Sequence, residues 1–259
     1  MTTTPDRPYA PPTTVSVSRG HRTDAYHLLT PANQFPSRLP GFDGVIVKKL
    51  ATPRLHRARF GWYLLEIEPG GGTSAVTGAE HEHFLLGLDG TPHVLAGDAE
   101  HDLADQGFAF LPAGTGFQLR NDTAAPARLL WIKQEHQPWP GVPAPQPVSG
   151  RLGDAEYRPG SVAGISRAEL LPVDAPYDFS MSVLSFEPGA VFPKVEVHDE
   201  EHGLWMLKGS GLYHLDGDIM EVETEDFIYM APYCPQYFYP TGPGTAAYLL
   251  YKDINRDGF

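Results

Sequence analysis

A single cysteine, Cys234, in 259 residues leaves no internal disulfide to form and suits a reducing compartment. No run approaches the roughly 18 consecutive apolar residues of a membrane helix. Basic residues are scarce: 19 Lys and Arg against 32 Asp and Glu give a net charge of −13, which argues against nucleic acid and anionic membranes as partners. The opening MTTTPDRPYAPPTT has neither the basic nor the apolar region of a secretory signal, so a cytoplasmic location is expected. Its Pro and Thr content predicts a flexible tail over residues 1–24. A sustained 3.6-residue period is also missing, and ISRAELLPV (165–173), with Ser166 as N-cap, is the nearest approach to a helix. Without a Gly-rich phosphate loop, a CxxC pair or a GxSxG elbow, kinase, zinc-ribbon and serine-hydrolase chemistry have no support.

What the chain does contain is 27 Gly and 26 Pro, evenly spread, with short apolar runs such as GWYLLEIEPGG, HEHFLLGLDG and GFAFLPAGTGF between them. Short strands punctuated by turn residues at such spacing predict an all-β sandwich or barrel. A proline-rich stretch over 134–160 falls near the middle and reads as a semi-rigid linker. Across it the chain repeats itself. WYLLEIEPGG (62–71) aligns with MSVLSFEPGA (181–190) at an offset of 119, which sets Glu68 on Glu187, Gly70 on Gly189, His83 on His202 and Gly90 on Gly209. LLWIK ending at Lys133 likewise meets LLYK ending at Lys252. Two copies of one β unit are expected.

The chemistry concentrates in KVEVHDEEHGLWMLKGSG, where Glu196, His198 and His202 fall within seven positions. Residues two or four apart share a strand face, so these three can converge on one point. Two imidazoles and a carboxylate suit a borderline divalent ion such as Mn, Fe, Ni or Zn, with the fourth ligand coming from elsewhere. In the first copy Glu196 and His198 correspond to Thr77 and Ala79, and only His83 is retained, which predicts one metal-competent half and one degenerate half. His81 and His83 lie on one face of their segment with Glu80 and Glu82 on the other, a pattern that reads as a solvated or subunit-facing patch or as a second metal site. Cys234 reads as a small buried hydrophobe. Asp253, Asn255, Arg256 and Asp257 are candidates to tie down the C-terminus by turn hydrogen bonds.

These residues resemble the cupins. GFAFLPAGTGFQLRN (107–121) carries the Gly107, Pro112, Gly114 and Asn121 framework of a second cupin motif, with Phe117 where a metal histidine belongs. Glu196-x-His198-xxx-His202 followed by Gly209 is a first cupin motif with its His and Glu ends exchanged. Among bicupins this arrangement is similar to the (S)-ureidoglycine aminohydrolase family of allantoin degradation. That resemblance implies two tandem jelly-roll barrels, at 25–133 and 161–259, with manganese held in the second by Glu196, His198, His202 and Gln236. It also implies that Tyr213, Tyr248 and Lys252 contact the substrate, with Glu196, Tyr213 and Lys252 in catalytic roles, and that the enzyme is a homo-oligomer. Pro235, beside Gln236, departs from the family's pattern.

Four protein ligands leave two positions open in a six-coordinate ion, enough to chelate a small molecule. Manganese is what the resemblance implies, whereas the ligand types equally admit Fe(II) or Ni(II). The reaction implied is release of the substrate amine as ammonia with water taking its place, giving (S)-ureidoglycolate. A bicupin Fe(II) dioxygenase and a non-enzymatic small-ligand-binding bicupin are the alternative readings, since one scaffold hosts many functions.

Overall fold

The computed structural model describes residues 19–55, 58–76 and 79–256, so most of the expected tail, together with Thr77 and Asp257, lies outside the described residues. The described chain is all β. Its only helical segments are three-residue 3-10 turns at Pro31–Asn33, Ala104–Gln106 and Leu152–Asp154, and none is long and apolar enough to cross a membrane.

The internal repeat is visible in the strand order. In the ten-stranded sheet Gly107–Leu111, His81–Asp89, Ala127–Glu135 and Phe60–Thr73 are consecutive neighbours. In the eight-stranded sheet Phe227–Met230, His202–Lys208, Ala246–Asp253 and Phe179–Phe186 follow in the same order. Register repeats as well: His83 faces Lys133 as His202 faces Lys252. A third sheet of Asp218–Glu223, Ser210–Leu215 and Gln236–Pro240 closes over the second barrel.

Gly90 and Gly209 share a physical reason for being glycine. Both have positive φ, 71° and 81°. A Cβ on Gly90 would meet Pro126 O at 2.7 Å, and one on Gly209 would meet Ala246 Cα at 2.7 Å. A left-handed turn pressed against backbone admits no side chain. Gly209→Ala is therefore expected to cost about 1–3 kcal/mol in urea denaturation, from overpacking in addition to backbone strain.

Three apolar clusters form the core. One fills the first barrel around Leu65, Ile67 and Phe117, and another fills the second around Met206, Tyr248 and Phe238. The third lies between the sheets and draws Phe60, Trp62 and Leu64 from one and Met181, Trp205, Phe227 and Tyr251 from the other. Strands such as Phe60–Thr73 are thus buried on both faces, Trp62 toward the seam and Tyr63 toward the barrel interior. This explains why their apolar runs are continuous rather than alternating. Fully burying each such side chain contributes about 1.5–3 kcal/mol.

Four expectations need correction. ISRAELLPV does not begin a helix: Ile165–Glu169 is a strand paired with Phe179–Phe186. Its apolar residues divide between the two cores, Ile165 inside the second barrel and Leu170 and Leu171 at the seam. Tyr26–Leu29, at the start of the expected first barrel, pairs instead with Phe227–Met230 in the second sheet. The proline-rich stretch, expected as a semi-rigid linker, is packed onto the barrels, with Val148–Arg151 on Gly107–Leu111 and the Tyr177 hydroxyl donating to Gln146 O at 3.0 Å. The C-terminus is held by long-range bonds in place of local turns. Asn255 Nδ2 donates to Val173 O, Asp174 O and Tyr177 O, and Asp253 Oδ1 accepts the Glu201 N–H at 2.7 Å.

Candidate metal centre

Glu196, His198 and His202 do not share one strand. Glu196 forms an isolated bridge to Gln236, a loop follows, and His202 opens the strand His202–Lys208. The bridge is reciprocal, Glu196 N–H to Gln236 O at 2.8 Å and Gln236 N–H to Glu196 O at 2.9 Å. Directly opposed residues send their side chains to the same face, so Glu196 and Gln236 point the same way. The intervening loop brings His198 over them. Its carbonyl accepts the Tyr233 N–H at 2.6 Å, and Tyr233, at φ 64°, turns the chain toward Cys234, Pro235 and Gln236. Pro235 keeps its carbonyl in use, accepting the Asp216 N–H at 3.0 Å, so the loop presents Gln236 in spite of the proline.

All seven expected residues line one cavity of about 280 Å³ in the second barrel: Glu196, His198, His202, Gln236, Tyr213, Tyr248 and Lys252. Glu196 Oε2 is 3.9 Å from His198 Nε2, and the His198 and His202 rings are 5.2 Å apart. The Tyr213 hydroxyl donates to Gln236 Oε1 at 3.2 Å. Burial, then Lys252 and His198, pushes His202 down to about 3, so its imidazole is neutral near pH 7 with a lone pair to offer. Burial, with Tyr248 next, holds the Tyr213 hydroxyl well above its ordinary pKa and keeps it a donor. Lys252 Nζ sits 2.9 Å from Glu200 Oε1. Burial is the largest single influence on Glu200 and opposes its ionisation, but the hydrogen bond and charge of Lys252, together with local backbone and Asp199 hydrogen bonds, outweigh it and hold the carboxyl below its usual range.

Two residues went unforeseen. Arg167, on the strand that ISRAELLPV concealed, lines the cavity and pairs with Glu169 at 2.7 Å. Glu201, buried behind His202, accepts the Arg59 N–H at 2.8 Å and the Tyr229 hydroxyl at 3.2 Å. Burial raises its carboxyl to about 7. Cys234 is packed in the core of the second barrel, and burial lifts its thiol to about 12, which makes it a hydrophobe and not a ligand.

The corresponding place in the first barrel is filled with rings. His83 is 1% exposed, its ring 5.0 Å from Phe117, and Trp131 Nε1 donates to its Nδ1 at 3.3 Å. Burial pushes His83 down to about 3. The solvated-patch reading of His81 and His83 is thereby corrected for His83. It is Glu82 that faces a candidate metal group instead, with His136 and Asp178, whose ligand atoms all lie within 4.8 Å of one another.

Residues 63–133 match the cupin domain family. With two jelly-roll barrels related by an internal repeat, the molecule is a bicupin. Over 235 residues it is 32% identical to the (S)-ureidoglycine aminohydrolase of Escherichia coli K12, covering 90% of this chain and 89% of that protein. It is 31% identical to a probable (S)-ureidoglycine aminohydrolase of Oryza sativa, over 89% of this chain and 73% of that one. Among solved structures, a putative glyoxylate-induced protein of Pseudomonas aeruginosa superposes with a TM-score of 0.85 at 31% identity, covering 93% of each chain. The oxalate decarboxylase of Bacillus subtilis shares the fold at 12% identity and a TM-score of 0.68, over 92% of this chain and 80% of that one. The chain belongs to the (S)-ureidoglycine aminohydrolase family.

Proposed function

We propose that the protein converts (S)-ureidoglycine and water to (S)-ureidoglycolate and ammonia, with manganese held by Glu196, His198, His202 and Gln236. The observation that carries this reading is the convergence of those four donors with Tyr213, Tyr248 and Lys252 on one cavity. The donor set fits a divalent ion of intermediate hardness, being one carboxylate, two imidazoles and an amide oxygen without a thiolate. When bound, the ion supplies Lewis-acid polarisation and a template for the substrate's polar atoms.

The chain's own residues do the rest. Lys252 exchanges its Glu200 partner for the substrate carboxylate, a charge-assisted hydrogen bond. Tyr213 fixes the Gln236 amide so that its oxygen faces the ligand point. Tyr248, buried beside Tyr213, keeps its hydroxyl proton to donate to the substrate. Glu196 offers the carboxylate for proton transfer as the carbon–nitrogen bond breaks and the carbon–oxygen bond forms. The reading carries with it a homo-oligomeric, cytoplasmic enzyme acting on a small molecule.

The test is ammonia release from freshly generated ureidoglycine by metal-stripped protein, with and without added manganese, after subtraction of the enzyme-free rate. Release restored by manganese is the expected result. Tight manganese binding without release above background overturns the substrate, and oxygen consumption with Fe(II) would then become the assay.

A further inference from the structure

Away from the cavity, three side chains from three segments meet at the seam between the barrels. Glu82 lies in the strand His81–Asp89 of the first sheet, opposite Gln134. His136 follows the strand Ala127–Glu135, and Asp178 immediately precedes the strand Phe179–Phe186 of the second sheet. Both carboxylate side chains are 0% exposed, and the imidazole is 12% exposed.

His136 Nδ1 is 3.3 Å from Glu82 Oε2 and 3.4 Å from Asp178 Oδ2. Neither approach has hydrogen-bond geometry: His136 Nδ1, both Glu82 oxygens and Asp178 Oδ1 have no hydrogen-bond partner among the described residues. Buried polar atoms are normally satisfied, so unpartnered atoms on three side chains that each bring a ligand atom within 4.8 Å of the others call for a common partner. Edges of 3.3 and 3.4 Å are those of a tetrahedron with metal–ligand bonds of about 2.1 Å. Two carboxylates carry the charge that a divalent cation balances, and an imidazole nitrogen completes a donor set of the zinc type.

The surrounding frame is already fixed. Gln137 N–H donates to Asp178 Oδ2 at 2.7 Å, His136 N–H to Glu80 O at 2.9 Å, and Ile254 N–H to Asp178 O at 3.0 Å. The nearby cation, Arg256, spends its N–H groups on the carbonyls of Gln137, Ala175, Asn255 and Pro176 and leaves the carboxylates unbonded. Burial, then Asp178, raises the Glu82 carboxyl well above its ordinary range.

We propose that Glu82, His136 and Asp178 form a second divalent-metal site, of the zinc class, that clips the first barrel to the second. It has no part in the ureidoglycine reading and stands or falls separately. The test strips the full chain of metal and reloads it with Zn(II), counting bound zinc in wild type, His202→Ala, Glu82→Gln and the double variant. Two ions per chain in wild type, one in each single variant and none in the double are expected.

In His202→Ala the thermal midpoint is expected to rise by roughly 5–10 °C at saturating zinc, and in the double variant not at all. Co(II) is expected to give tetrahedral visible bands in His202→Ala that vanish with Glu82→Gln. Should Glu82→Gln fail to fold, Asp178→Asn, which keeps an acceptor for Gln137 N–H, takes its place. A His202→Ala protein that binds no zinc, or whose midpoint does not move, overturns the site and leaves a carboxyl pair sharing a proton.

Discussion

His202→Ala is expected to bring ammonia release down to the enzyme-free rate and to remove manganese from the second barrel, as read by metal analysis beside the assay. His202 is the most enclosed of the four donors that line the cavity, at 5% exposure, and the backbone holds it from both sides, opposite Lys252 and opposite Met230. Losing only an outer partner of a metal ligand costs about 10–100-fold in affinity or activity, so losing the ligand itself costs more. The substitution leaves its strand pairing intact, and far-UV circular dichroism should match wild type. Unchanged metal content with unchanged release would remove Glu196, His198, His202 and Gln236 from the proposal together.

The second large effect concerns stability. Trp62→Ala is expected to cost about 3–5 kcal/mol in urea denaturation, the range for truncating a buried aromatic. Trp62 is fully buried, meets Phe227 of the second sheet edge-on with ring centroids 5.3 Å apart, and lies where a Cβ on Gly203 would come within 2.8 Å of it. Gly203 adjoins His202, so the cavity left by the indole opens directly behind the candidate metal centre. A loss below about 1 kcal/mol would mean that the seam collapses to fill the gap, and the two sheets would then be less firmly coupled than their shared core implies.

The candidate metal centre was partly legible because three of its proposed donors are neighbours in sequence. Glu196, His198 and His202 declare themselves within seven positions, whereas Gln236 is joined to them by a two-residue bridge that no periodicity reveals and was reached through family resemblance alone. Arg167 was hidden because its segment buries residues toward two cores, and a strand buried on both faces offers the same spacing as a helix. The HEH triplet shows the same limit. Alternation separates Glu82 from His81 and His83, but when both faces of a strand are covered the pattern does not say which face holds the chemistry. Glu82, His136 and Asp178 come from segments far apart in sequence and are assembled only by the docking of one sheet on the other.

The pairing of Tyr26–Leu29 with Phe227–Met230 also bears on how the chain is made. The first of these strands leaves the ribosome roughly 200 residues before its partner, which at about 5–20 residues per second means a delay on the order of 10–40 s. For that interval an apolar segment, YHLL, has no sheet to join. Tyr26 and Leu28 point into the second barrel, so that half is sealed by one of the earliest-made parts of the described chain. A nascent chain stalled after the first barrel would therefore display a strand with no edge to meet, the kind of exposed segment that holdase chaperones recognise.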